Sequence, residues 1–293
     1  MDFLYSDLTV SDLSAFDHAP LIAARDRLRA ALKKQPDRLA SSRDCARLAE
    51  SLILEMETTM ALRPNDTLVS SARTGLQTYM AQVYGWMTCG LLLTAFVSWF
   101  AANTPAVMEL VFANRITFYG LIIVQLGLVF VLSGMVHKLS GAAATGLFML
   151  YSALTGLTMA SIFLMYTYSS IASTFLVTGG MFGAMSFWGY TTKRDLSGMG
   201  SMLFMGLIGI VLASLVNIWL KSTALMWAVT YIGVVVFVGL TAYDTQKLKN
   251  IGEGINVDDK ENLRRYSIMG ALTLYLDFIN LFLMLLRIFG NRR

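Results

Sequence analysis

Two aspartates are the residues best placed to do chemistry. Asp277 lies near the middle of LTLYLDFINLFLMLLRIFG, residues 272–290, a stretch apolar and long enough to cross a bilayer. An ionised aspartate at the centre of such a helix costs about 2.5–3.5 kcal/mol on insertion scales, so the side chain faces protein or water and seldom lipid. Helical spacing puts Gly270, Thr273, Asn280 and Met284 on its face, the small and polar one. Two readings stand: an acceptor that glues helices together, or a site for protons or cations. Asp244, in GLTAYDTQKLKN, closes the preceding apolar run, where Lys247 at i+3 could pair with it on a helix end. If the two carboxyls meet in a poorly solvated place they cannot both ionise cheaply. They would then share one proton and titrate as a unit, in a pH range where isolated aspartates do not respond. Depth opposes a meeting. Asp277 is eleven or twelve residues beyond Arg265, roughly 17 Å at about 1.5 Å per residue, whereas Asp244 stands at the membrane edge. The pair meets only if the seventh helix starts outside the hydrocarbon or the sixth runs inward past Lys247.

The elements that must position these acids are spanning helices. Of 293 residues 56% are hydrophobic and only 14% charged, against roughly 25% charged in a soluble domain. Uncharged runs of about 20 residues, the length a bilayer core requires, number seven: Leu76–Ala102, Ile116–Val136, Gly141–Tyr166, Ile171–Tyr190, Met199–Leu220, Ala224–Tyr243 and Tyr266–Leu286. The loops at 137–140, 191–198 and 244–265 carry eight Lys/Arg, and the opposite loops carry two, Arg115 and Lys221. The positive-inside rule makes the amino terminus cytoplasmic. RIFGNRR then ends on the outer side, unless the last segment dips in and returns.

Charge divides the chain. Residues 1–74 hold 10 Lys/Arg and 11 Asp/Glu, and residues 75–293 hold 13 and 8. The expected organisation is a cytoplasmic, soluble amphipathic helical tail over 1–73 and a transmembrane domain over 74–293. In the tail, Leu21, Ala24, Leu28 and Leu32 recur at helical spacing, as do Leu48, Leu52 and Met56. Its near-neutral balance argues against strong attraction to anionic lipid. The acidic start lacks the basic and apolar regions of a signal peptide, so targeting falls to the first span. Gly179 and Gly183, four apart, have the spacing that lets two helix backbones touch. Ordinary packing within the bundle is the expectation, and a dimer interface the alternative.

Several chemistries find no support. Cys45 and Cys89 lie in different environments and are not expected to pair. His18 and His137 form no zinc spacing, and no cofactor is expected. No phosphate loop, nucleophile elbow or zinc helix is present. Intramembrane aspartyl proteases pair YD with GxGD. Tyr243 precedes Asp244, but LYL precedes Asp277. The chain is therefore not expected to be an enzyme. Nucleic-acid binding lacks a basic, aromatic surface.

The carboxyl-terminal stretch LTLYLDFINLFLMLLRIFG, GLTAYDTQKLK in the sixth span and TTKRDLSGMG before the fifth resemble the Bax-inhibitor family, the transmembrane Bax inhibitor motif proteins, over about Thr74–Arg293. The tail has no counterpart. The resemblance implies an all-α integral membrane protein of the bacterial inner membrane, with six helices surrounding the seventh. It also implies a pH-sensitive calcium leak, with calcium as the permeant ion. Asp244 and Asp277 match the family's aspartate pair, the pH sensor and ion pathway, where calcium could bind. Thr273 and Asn280 would be the supporting polar face. The family's arginine latch aligns with Lys138 in SGMVHKLSG. Lysine keeps the charge and loses the bidentate fork. A competing reading is a membrane-embedded regulator that binds a membrane protease or another membrane protein and transports nothing, with the tail as a docking element.

Overall fold

The structure is a computed structural model and describes residues 64–255 and 259–292, with side chains from Thr74 onward except at His137. The chain divides between Ser70 and Ser71. The tail helices expected around Leu21–Leu32 and Leu48–Met56 lie outside the described residues.

Eight α-helices are described: α1 Pro64–Ala102, α2 Pro105–Phe112, α3 Arg115–Gly134, α4 Gly141–Met165, α5 Tyr168–Thr191, α6 Ser197–Leu220, α7 Thr223–Glu253 and α8 Lys260–Phe289. All but the eight-residue α2 contain a segment long and apolar enough to cross a membrane, in α1 the segment Thr74–Ala102. The helices begin where the sequence supplies a cap. Side-chain oxygens of Asn114, Ser140, Thr167, Ser222 and Asp259 accept backbone N–H bonds at the starts of α3, α4, α5, α7 and α8. Each satisfies a donor that the helix itself leaves unpaired.

α8 is the interior helix. Half of its 30 residues are buried, against three of 24 in α6 and one of 20 in α3. Around it, one cluster draws Tyr79 and Val83 from α1, Leu132 from α3, Phe148 from α4 and Phe182 from α5 onto Ile268, Leu272, Tyr275 and Phe278. A second joins Leu203 and Ile210 of α6 and Val236 and Phe237 of α7 to Leu281 and Leu285. Six spanning helices thus surround the seventh.

Lipid is as apolar as these side chains, so close packing and interhelical hydrogen bonds hold such a bundle. Aromatic edges do much of the packing. The Tyr275 ring meets Phe148 and Tyr151 edge-on, both at 5.8 Å between centroids. Phe278 meets Phe175 at 5.2 Å and Phe182 at 5.5 Å. Tyr275 Oη and Thr94 Oγ1 are hydrogen-bonded at 2.7 Å, and Thr94 also donates toward the Gly90 and Ser152 carbonyls.

The Lys/Arg-bearing connections gather at one end of the bundle. There Gln246 of α7 ties down the α5–α6 loop, accepting from Leu196 N and donating to the Arg194 carbonyl, both at 2.8 Å. Glu261 accepts from Gly141 N at the start of α4. Arg264 donates to Thr145 Oγ1 at 2.9 Å and lies over the Trp86 ring. At the other end, α8 does not turn back. Past Phe289 the chain joins the α4–α5 corner, with Asn291 N donating to Ser170 Oγ and Thr167 N to the Asn291 carbonyl.

Two of the element limits that differ from the sequence reading bear on the acid pair. The sixth spanning helix continues ten residues past Tyr243 to Glu253, and the seventh begins six residues before Tyr266, at Lys260. Charged side chains end the apolar run without ending the helix, because the backbone bonds continue wherever no Pro or Gly interrupts them.

Candidate functional site

The two longer helices remove the depth problem. α7 carries Asp244 on a continuous helix that runs on past Lys247, and it packs along α8. The Asp244 and Asp277 carboxyls lie within hydrogen-bonding reach of each other. Asp277 is buried, 5% exposed, and its Oδ2 finds no donor among the described residues. Two ionised carboxylates have no proton to place between them, so the contact is a hydrogen bond only when one of them is protonated.

Close approach at this point has a visible cause. A Cβ on Gly189 of α5 would strike the Ala242 carbonyl, and one on Gly200 of α6 would strike the Tyr243 ring. These glycines let two neighbouring helices close on the turn that carries Asp244. One turn along α5 from Gly189, Ser186 Oγ is hydrogen-bonded to Thr245 Oγ1 at 2.8 Å and to Tyr84 Oη at 2.7 Å. A hydroxyl chain thus links α1, α5 and α7 and fixes the rotation of α7 about its axis.

Asp244 and Asp277 open onto a cavity of about 470 Å³ walled by α6, α7 and α8, and Lys247, Thr273 and Asn280 line it with them. Thr273 Oγ1 donates to the Met269 carbonyl, and Asn280 Nδ2 to the Leu276 carbonyl. Lys247 stands one turn beyond Asp244, and its positive charge acts on that carboxyl. Sequence reasoning treated Lys247 as a surface partner of Asp244. The i+3 spacing carries that reading and cannot show that both side chains face one cavity.

The Lys138 backbone lies in a short 3-10 turn, Val136–Lys138, which packs on α8. Its side chain is exposed and is not among those that line the cavity of the acid pair. Among the described residues no three of His, Cys, Asp and Glu converge as a metal cluster would. Two carboxyls with a hydroxyl and an amide nearby are too few for the six to eight oxygens a held calcium takes. They suit an ion that keeps part of its water shell.

Gly179 and Gly183 depart from expectation. A Cβ on either would meet nothing within 4 Å, so neither packs against another described helix.

Residues 76–293 match the profile of the family Bax1-I, inhibitor of apoptosis-promoting Bax1. Inner membrane protein YbhL of Escherichia coli K12 is 76% identical over 230 residues, 78% of this chain and 98% of that protein. A protein of Borreliella burgdorferi is 46% identical over 215 residues, 73% of this chain and 92% of its own. Protein RP147 of Rickettsia prowazekii is 44% identical over 221 residues, 75% of this chain and 92% of its own.

Proposed function

The chain belongs to the Bax-inhibitor family of membrane proteins, and on that premise we propose that it is an inner-membrane protein that leaks cations, calcium foremost, under control of a proton shared by Asp244 and Asp277. The observation that carries this reading is the meeting of the two carboxyls, one of them buried, in a cavity that also contains Lys247. The end of the bundle that gathers the basic loops is the cytoplasmic one.

At rest an ionised member of the pair holds a cation of the protein: Lys247 from within the cavity, or Lys138 from the turn on α8. Protonation removes that attraction and frees the path. The same proton also weakens the pair as a cation ligand, because calcium binds carboxylate oxygen only when the group is ionised. The two effects oppose each other, so flux passes through an optimum as pH falls.

Calcium entry into liposomes holding the purified chain tests this. The wild type is expected to show an optimum in pH, and Asp277→Asn a rate independent of pH. Equal rates for the two proteins at every pH would refute the sensor. Absence of flux in pure protein would refute the channel and favour a regulator that acts by binding another membrane protein.

A further inference from the structure

A hollow larger than the one at the acid pair lies away from it. A groove of about 700 Å³ runs between α1 and α5, from Gln77 to Leu92 on one helix and from Tyr190 back to Phe175 on the other. That is sixteen residues on each side, a rise of about 22 Å at ~1.5 Å per residue. Its walls are apolar side chains, among them Met80, Met87 and Phe182, and Phe278 of the central helix shows at its back. The hydroxyls that reach it, Tyr84 and Ser186, already bond to each other.

Gly179 and Gly183 form its floor, with 4 Å of open space over each. At one end the groove finishes at Tyr190. Lys249 donates to the Tyr190 carbonyl at 3.1 Å, and its ammonium is 5.3 Å from the Tyr190 ring centroid. Exposed Lys193 and Arg194 follow in the adjoining loop.

We infer that this groove binds one acyl chain of an anionic phospholipid, with the phosphate beside Lys249. A lipid chain runs from the headgroup level to the bilayer midplane, half of a core about 30 Å thick, and the groove is long enough to take it whole. The basic end supplies the complementary charge at the headgroup level. A second copy of the chain fits poorly, because a two-fold partner presents the same hollow and cannot fill it. A flexible acyl chain can.

The test is native mass spectrometry of the full chain in mild detergent, with phosphatidylglycerol and phosphatidylcholine added separately. The wild type is expected to retain one phosphatidylglycerol at least tenfold more than phosphatidylcholine. The double variant Gly179→Leu/Gly183→Leu fills the floor from open space and should lose retention of both lipids at least tenfold. Lys249→Gln, which leaves the floor intact, should keep a lipid and lose the preference for phosphatidylglycerol. Equal retention of the two lipids by the wild type would overturn the inference, as would undiminished retention by the double variant. A wild-type dimer that the double variant abolishes would also overturn it and assign the groove to a second copy.

Discussion

Asp277 separates two physical roles that a buried carboxylate can play. If it only accepts interhelical hydrogen bonds, Asp277→Asn removes an acceptor and leaves donors unmatched, at about 1–3 kcal/mol. If it shares a proton with Asp244, the amide brings its own N–H to the contact and needs no proton at all. The expected outcome is the second. Asp277→Asn should melt at or above the wild-type temperature at neutral pH in detergent, and a fall of about 2 kcal/mol or more would identify the residue as structural glue. Lys247→Met should raise resting calcium flux at neutral pH and change stability by no more than about 0.5 kcal/mol, as for other exposed positions. Both acids were legible in the sequence, because a carboxylate in or at the end of an apolar run is costly enough to need a reason. That exposed Lys247 borders the same cavity was not, since its spacing from Asp244 suits any helix surface. Nor did Gly189 and Gly200 announce themselves. A glycine that admits a neighbouring backbone reads the same as one that faces open space, as Gly179 and Gly183 do, until the crossing helix is known.

Hydropathy located every spanning helix, because the runs that must match a bilayer are the runs without charge. It placed the end of α7 and the start of α8 too near the membrane, since it reports where lipid stops and helices obey backbone hydrogen bonding instead. That difference decides whether Asp244 and Asp277 can meet. It also predicts where substitution is costly. Gly189→Ala should destabilise the bundle by about 1–3 kcal/mol through forced separation of α5 from α7, while Gly179→Ala should leave thermal melting unchanged. The start of α8 has a pH dependence of its own. Backbone N–H of Asn262, with its side-chain amide, holds the Asp259 carboxyl below the usual carboxylate range. A depressed acid stabilises fully above its unfolded value and loses that contribution as pH falls through the folded one. Asp259→Asn should flatten the acid limb of thermal stability measured against pH, by lowering stability at neutral pH and leaving it unchanged at acid pH.

At the scale of the molecule, the fold is a ring of moderately buried helices around one buried helix that carries half of the acid pair. The resemblance in sequence pointed to this arrangement, and periodicity alone did not, because α8 is apolar on most faces and so are several of its neighbours. The basic connections share one end, where Gln246, Glu261 and Arg264 clasp helices that are distant along the chain. Arg264→Ala removes both the bond to Thr145 and the cover over Trp86, and should cost about 1.5–3 kcal/mol, the range for a hydrogen bond made by a charged group. The thermal unfolding midpoint would report it.

The placement of α8 also bears on how the protein is made. The central helix leaves the ribosome after every other described helix, so during synthesis the earlier spans reside in lipid around an absent centre. α3 already has α4 to pack on, and α6 has α7, but the core that joins these pairs is missing until α8 arrives. Assembly is therefore a late, concerted event. A nascent chain released before Lys260 should be cleared by cellular proteases as a loose set of helices, whereas one that includes all of α8 should resist them.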